Sequence, residues 1–426
     1  MAKLRSDLAG IKSPNPFWLA SAPPTNSGYQ VMRAFEAGWG GVVWKTLGTP
    51  IVNVTSRFAA LNFKQNRMIG MNNIELITDR PLDENLKEIA ECKAAFPDRA
   101  IVVSLMEVCE RDAWHELVKR VQEVAIDGFE LNFGCPHGMS ERGMGAAVGQ
   151  HPDLIAQVTQ WVVEASRVPV IVKLTPNITD IKFPARAARS GGAHAISLIN
   201  TINSVIGVDL GSWNPIPQVD GMSSHGGYCG PAVKPIALNM VNECARDSQV
   251  NLPISGIGGV SNWQDAAEFL LLGATNVQVC TAAMHHGFGI VEDMIDGLSN
   301  YLDSRGLASV DQLIGKSRNK ITTWENLNLN YQIVARIDQE KCIHCSKCYI
   351  ACEDAAHQCI DRYMTEGIAN LVVDEEHCVG CNLCAMVCPV DECIEMVTVD
   401  NGKPSQSWKE RASFDEATVM TPMETR

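Results

Sequence analysis

Apolar residues in the first two-thirds of the chain fall into eight short runs separated by longer amphipathic stretches. The runs are FWLASA from Phe17, GVVWKT from Gly41, IVVSLM from Ile101, FELNFG from Phe129, VIVKLT from Val170, AISLIN from Ala195, PISGIGG from Pro253 and NVQVCTA from Asn276. Each is β-branched or otherwise strongly apolar, as strands buried on both faces must be. Between them lie segments of helical period, such as DENLKEIAECKAAF from Asp83, DAWHELVKRVQEVA from Asp112 and PDLIAQVTQWVVEA from Pro152. Glycines precede several runs, in AGWGGV, IDGFEL, GGAHAI and LGATNV, which predicts helices closed by left-handed caps. Eight strands alternating with helices over about 290 residues is the count of an α/β fold of the (β/α)8 barrel type. An open doubly wound sheet is the competing arrangement.

A barrel places chemistry at the C-terminal ends of its strands. Ser21, Lys45, Thr46, Asn132, Cys135, Lys173, Asn200, Thr201, Gly258, Gly259 and Thr281 fall there. Asn132 offers an amide donor and acceptor to a planar heterocycle. Cys135 stands where its strand ends, before Pro136, and reads as nucleophile, general acid or core thiol, the last being the default for a free cysteine taken alone. The glycine-rich HGMSERGMG after it has the composition of a mobile lid. Lys45 and Lys173 end their strands with charge that suits an anionic flavin ring; a salt-bridged rim residue is the alternative for each. SGIGG (Ser255 to Gly259) and CTA (Cys280 to Ala282) end the last two strands, where barrels build phosphate sites from backbone N–H groups. MNNIE (Met71 to Glu75) supplies further amides, or is a capped loop.

The pattern changes near residue 336. CIHCSKCYIAC starts at Cys342 and CVGCNLCAMVC at Cys378, so C-x2-C-x2-C-x3-C occurs twice, and Pro389 follows the second copy. In this ferredoxin arrangement the last cysteine of each copy serves the other copy's cluster. One [4Fe-4S] cluster then takes Cys342, Cys345, Cys348 and Cys388, and the other takes Cys378, Cys381, Cys384 and Cys352. Two zinc sites are the rival reading. Glu353 replaces the proline that ends the motif, and Cys359 and Cys393 read as ordinary buried thiols. Iron–sulfur clusters pass single electrons whereas closed-shell C=C reduction takes two, and a flavin in the barrel links the two. Hydride added to one carbon leaves its neighbour in need of a proton, for which Cys135 is the candidate general acid.

Bulk properties agree with a multidomain globular protein: 426 residues, 46% hydrophobic and 20% charged. The expected divisions are the barrel at 1–304, a polar connector at 305–335, the cysteine domain at 336–398 and a polar tail at 399–426 that is disordered in part or docks. A net charge of −14 speaks against nucleic acid, which wants clustered Lys and Arg. No apolar run is long enough for a membrane span, and MAKLRSDLAG lacks the apolar core of a signal peptide. The sixteen cysteines are therefore expected in a reducing cytoplasm, binding metal or acting in catalysis.

LNFGCPHGMSERGMG, KLTPNITDI, INTINS and GIGG, followed by the double cassette, closely resemble the FMN and C-terminal iron–sulfur domains of the dihydropyrimidine dehydrogenases, relatives of the dihydroorotate dehydrogenases. The resemblance runs from about residue 5 to 398. It implies FMN contacts at Ser21, Lys45, Thr46, Lys173, Gly230, Gly258, Gly259, Cys280 and Thr281. It implies pyrimidine contacts at Asn73, Asn132, Asn200 and Thr201, and places Glu75 and His137 near the ring. Cys135 matches the family's proton donor to C5. Gly134, at a substrate-binding position, departs from the expected serine, and Cys229 replaces a serine beside Gly230. The implied reaction is reversible, NADH-dependent reduction of uracil and thymine to 5,6-dihydropyrimidines, with hydride passing from FMN to C6. No strand–G-x-G-x-x-G–helix unit opens the chain, so FAD and the NAD(H) site are expected on a partner subunit in a heterotetramer. A dihydroorotate dehydrogenase-type enzyme and a non-catalytic electron-transfer subunit remain as alternatives.

Overall fold

All eight apolar runs form strands: β1 (Phe17–Leu19), β2 (Gly41–Leu47), β3 (Ala100–Leu105), β4 (Gly128–Asn132), β5 (Val170–Lys173), β6 (Ala195–Leu198), β7 (Ile254–Ile257) and β8 (Asn276–Val279). In the computed structural model, which describes residues 2–49 and 51–411, they pair in parallel in chain order and close into a barrel through β8 and β1. The main helices between them are α1 (Gly28–Ala37), α2 (Leu82–Ala95), α3 (Arg111–Val121), α4 (Pro152–Ala165), α5 (Lys182–Ser190), α6 (Lys234–Arg246), α7 (Trp263–Leu272) and α8 (Ile290–Ser304). Gly38 and Gly273 are left-handed caps of α1 and α7, as their spacing predicts. Gly128 is not a cap. It opens β4, and a Cβ there would lie 2.6 Å from Ile11 Cδ1, so it is glycine for want of space.

Alternation along the strands sorts the barrel into layers. Phe17, Leu19, Val42, Trp44, Val103, Phe129, Leu131, Val172 and Val277 belong to the large core shared with the helices. Trp18, Val43, Val102, Ile171 and Ala195 form a separate cluster with Leu8 and Ile11. Those last two come from an N-terminal hairpin, Ser6–Leu8 paired with Ile11–Ser13, whose Ser13 Oγ accepts from Trp18 Nε1 at 3.0 Å. A third group is polar. Glu130, Ser197, Ser255 and Gln278 sit inside apolar strands with at most 1% exposure. Glu130 Oε2 accepts from Ser197 Oγ at 2.8 Å and Gln278 Nε2 at 2.9 Å, and Lys173 Nζ lies 3.6 Å from Glu130 Oε1.

Two long connections, after β2 and after β6, build an antiparallel sheet in the order Ile202–Ser204, Gly226–Cys229, Asn66–Asn73, Phe58–Phe63. MNNIE is thus largely strand, its amides held in register by cross-strand pairing.

The chain divides into two units, Met1–Lys320 and Ile321–Arg426. Within 305–335, the first half packs on the barrel: Val310 and Leu313 are buried, and Gly315 N donates to Leu270 O at 2.8 Å. The second unit pairs Ile333–Ile337 with Ile394–Thr398 and Ile360–Thr365 with Ile368–Val373, around a core rich in cysteine. Residues up to 411 are tied to this unit through Leu329 N to Gln406 O at 2.8 Å and an edge contact of Trp324 with Trp408. The rest of the tail, 412–426, lies outside the described residues. Among the described residues no helix is long and apolar enough to cross a membrane.

The buried pair makes a stability prediction. Removing one partner of a buried ion pair costs about 3–5 kcal/mol. Glu130→Ala is expected to lose that much in urea unfolding, and adding Lys173→Met is expected to return part of it.

Candidate active site

The site begins with an irregularity in β2. Its register against β3 shifts between Trp44 and Leu47, so the neighbours Lys45 and Thr46 both line one cleft. A regular strand would send one of them to the opposite face. Thr46 Oγ1 becomes a hub, 3.2 Å from Ser21 Oγ, 2.9 Å from Ser104 Oγ and accepting from Asn132 Nδ2 at 3.1 Å. Asn132 Oδ1 accepts from Asn200 Nδ2 at 2.9 Å and Gly134 N at 3.2 Å, and Asn200 Oδ1 accepts from Thr201 N at 2.8 Å. Asn73 Nδ2 donates to Gly227 O at 3.0 Å from the antiparallel sheet. These bonds orient the amides that line a cleft of ≈ 1080 Å³, mouth included.

Gly134 does not line the cleft. A Cβ there would lie 2.4 Å from Asn200 Cβ and 2.5 Å from its Nδ2. The missing side chain is therefore the space that Asn200 occupies, and a serine would fit only if Asn200 swung away.

Charge enters from two buried lysines. Lys45 Nζ meets Glu75 Oε1 at 2.7 Å, and Arg57 Nη1 meets the same oxygen at 2.9 Å. Lys173 is 3.6 Å from Glu130, a Coulombic contact too long for a hydrogen bond, so its ammonium donors stay available to a ligand. Both lysines are salt-bridged, yet neither is a rim residue: they are 4% and 5% exposed.

Cys135 Sγ lies 3.6 Å from His137 O, to which it donates. Burial pushes its thiol up to about 11, against weaker pulls from the His137 bond and from Lys173. The group is therefore a protonated thiol at neutral pH, suited to proton donation rather than to nucleophilic attack. Burial also lowers the pKa of His137, which is thereby kept neutral. Its Nε2 faces Glu75 O at 2.9 Å, and since a carbonyl only accepts, the proton is on Nε2 and the buried Nδ1 keeps a free lone pair. The glycine-rich segment read as a lid is anchored: Met139 and Met144 are buried against Ile77 and Met106, and Ser140 Oγ donates to Cys135 O at 2.7 Å.

At the far side of the cleft Gly258 (φ +127°), Gly259 (φ +76°) and Gly230 (φ +99°) present bare backbone. A Cβ on Gly258 would stand 2.7 Å from Ala237 Cβ, and one on Gly259 2.8 Å from Lys234 Cβ. This cradle admits phosphate oxygens close to the main chain. Cys280 and Thr281 adjoin it, and Cys229 Sγ donates to Met71 O at 3.3 Å. Burial pushes Cys280 up to about 12 and Cys229 to about 11, so both stay thiols. Gln278 Oε1 is a buried, unpartnered acceptor among the lining groups, and the donors and acceptors together fit a flat heterocycle with an anionic tail.

Sequence reasoning missed the residues under the site. Glu130, Ser197, Ser255 and Gln278 each interrupt an apolar strand, and that interruption was the available signal. Tyr228 gave none, because the antiparallel sheet alone brings it to the cleft, and Arg57 gave none, because it meets the site only through Glu75.

In the second unit the eight cassette cysteines sort into two small cavities. Cys342, Cys345 and Cys348 line one together with Cys388; Cys378, Cys381 and Cys384 line the other together with Cys352. Ser346 and Asn382 stand at equivalent places with left-handed φ of +60° and +70°, opening the helix of each cassette. Thiols crossing between cassettes into apolar cavities are the donor set of cubane clusters.

Comparison with known proteins agrees with both units. The dihydroorotate dehydrogenase family model matches residues 3–302, and the 4Fe-4S dicluster domain model matches 335–396. The NAD-dependent dihydropyrimidine dehydrogenase subunit PreA of Escherichia coli (strain K12) is 43% identical over 354 residues, 83% of this chain and 86% of its own. The chloroplastic NADP-dependent dihydropyrimidine dehydrogenase of Arabidopsis thaliana is 44% identical over 75% of this chain and 78% of its own. The catalytic subunit of the NAD-dependent dihydroorotate dehydrogenase B of Pyrococcus abyssi is 36% identical over 73% and 98%. A closed parallel barrel ending in this cleft, followed by a 4Fe-4S dicluster domain, makes the chain a member of the dihydroorotate dehydrogenase family of oxidoreductases, in the branch of the dihydropyrimidine dehydrogenase subunits.

Proposed function

We propose that the chain reduces uracil and thymine to their 5,6-dihydro forms, or runs the reverse, as the FMN- and iron–sulfur-bearing subunit of a cytoplasmic NAD-dependent dihydropyrimidine dehydrogenase. FAD and the nicotinamide site belong to a partner subunit. The observation that carries the reading is the convergence of Asn73, Asn132, Asn200 and Thr201 with the protonated thiol of Cys135 in one cleft. A pyrimidine-dione edge alternates N–H and C=O, and carboxamides oriented by one another can answer both.

In this reading Ser21, Lys45, Thr46, Lys173, Gly230, Gly258, Gly259, Cys280 and Thr281 hold FMN, the glycines taking its phosphate and the lysines its ring. When bound, the flavin supplies hydride to C6 and joins two-electron chemistry to the one-electron clusters. The amides fix the plane of the pyrimidine so that C5 faces Cys135. As C6 gains hydride, the electron pair left at C5 takes the proton of Cys135 Sγ, and the resulting thiolate recovers its proton from solvent. His137, neutral, keeps Glu75 and the segment beside Cys135 in place through its bond to the Glu75 carbonyl.

Anaerobic purification with the co-expressed partner, followed by flavin and iron counting and an NADH–uracil assay, tests the proposal. One flavin and about eight irons per chain are expected, with uracil turnover. Preference for dihydroorotate would reverse the substrate assignment, and iron without flavin would leave an electron-transfer subunit. Cys135→Ala is expected to keep flavin absorbance while uracil reduction falls by about 10²–10⁴-fold. With the thiol pushed up to about 11, inactivation by iodoacetamide is expected to be slow at pH 7 and to accelerate steadily as pH rises toward that value. Cys388→Ala is expected to abolish the EPR signal of the Cys342–Cys345–Cys348 cluster and spare the one nearer in sequence.

A further inference from the structure

Each cluster cavity contains a fifth cysteine. Cys359 lines the cavity of Cys352, Cys378, Cys381 and Cys384, and Cys393 lines that of Cys342, Cys345, Cys348 and Cys388. Neither belongs to the C-x2-C-x2-C-x3-C pattern, and both are buried, at 6% and 2% exposure. The two occupy equivalent places in an internal repeat. Asp374 N donates to Cys359 O and Asp338 N to Cys393 O, both at 2.8 Å. Asp374 O and Asp338 O in turn accept from the first cysteine of each cassette, Cys378 N and Cys342 N, both at 3.0 Å. An isoleucine that opens or continues a paired strand follows each, Ile360 and Ile394.

The repeat extends to the thiols, with one difference. Cys359 Sγ is 3.5 Å from Cys352 Sγ, and Cys359 N also points at that sulfur, at 3.4 Å. Cys393 Sγ interacts likewise with Cys388 and Cys342, and it also lies 3.7 Å from Asp338 O, a second acceptor that Cys359 lacks among the described residues. Once Cys352 carries iron, its sulfur is an acceptor only, so the proton between the two sulfurs belongs to Cys359. We propose that the Cys359 thiol adds a side-chain hydrogen bond to the ligating sulfur of Cys352 and sets the reduction potential of that cluster above the value its ligands alone would give. A donor to a ligand sulfur withdraws charge from the thiolate and stabilises the more negative, reduced cluster. Cys393 shares its proton between the Asp338 carbonyl and the neighbouring sulfurs, and so contributes less to the other cluster. The inference rests on Cys352 being a ligand of the cluster in the cavity it shares with Cys378, Cys381 and Cys384, as the proposed iron–sulfur role requires.

The test is an EPR-monitored redox titration of the anaerobically purified full-length holoprotein, with iron counted in every preparation. Cys359→Ala is expected to retain the full iron content and to lower one of the two midpoint potentials. Cys359→Ser, which keeps a donor, is expected to bring it back toward the parent value. Cys393→Ala is expected to move the other midpoint less. An unchanged midpoint in Cys359→Ala, an equal fall in Cys359→Ser, or an equal or larger shift in Cys393→Ala would overturn the proposal. Cys352→Ala separates the two readings. Loss of one cluster's iron there upholds the ligand assignment, whereas retention together with loss in Cys359→Ala would make Cys359 the ligand and end both.

Discussion

A carboxylate with no exposed surface stands at the centre of the barrel, and the site above it depends on how that charge is met. An isolated buried carboxylate costs several kcal/mol, and only close partners offset it. Glu130 finds them on other strands: Ser197 on β6, Gln278 on β8 and Lys173 on β5. Gln278 extends the network to Ser255 on β7 at 3.0 Å. The cluster therefore ties four further strands to β4 by side chains as well as by ladder bonds. It also holds Lys173 nearly buried at the floor of the cleft, with its ammonium directed by Glu130 but not saturated by it.

The same economy governs the wall of the cleft. Several of its polar groups form a chain in which each orients the next: Ser21 is held by Thr46, Thr46 by Asn132 and Asn132 by Asn200. Such chains reduce the freedom each amide would lose on binding a ligand. They also explain Gly134 without reference to ligand. The volume of a side chain at that position is filled by Asn200, which can then reach Asn132. The second unit follows a different rule. Its cysteines form much of its core, and the fourth thiol of each cavity comes from the other cassette, so a cluster held there would tie the two cassettes together.

Much of this was written in local pattern. The eight strands are those that the apolar runs predict, because a strand buried on both faces must be apolar at almost every position. The cassettes were legible for a similar reason, since thiolates around a cube need short fixed spacings. Legibility failed where position depends on contacts distant in sequence. Gly128 reads as a helix cap until Ile11 of the N-terminal hairpin is seen against it. The glycine-rich segment after Cys135 reads as a lid until Met139 and Met144 are found packed on Ile77 and Met106.

The sequence by itself determined the barrel, the strand ends that bear chemistry and the cross-cassette cysteine pairs, because these follow from periodicity and spacing within single segments. Tertiary structure alone decided the rest. A register shift in β2 turned Lys45 and Thr46 to the same cleft, and connections from β2 and β6 met in one sheet to deliver Asn73 and Tyr228. Burial made Cys135 a protonated thiol, and the fold set Cys359 against Cys352 while giving Cys393 the Asp338 carbonyl as a further acceptor. Each of these outcomes depends on which distant atoms share a dry volume, and no local pattern encodes that.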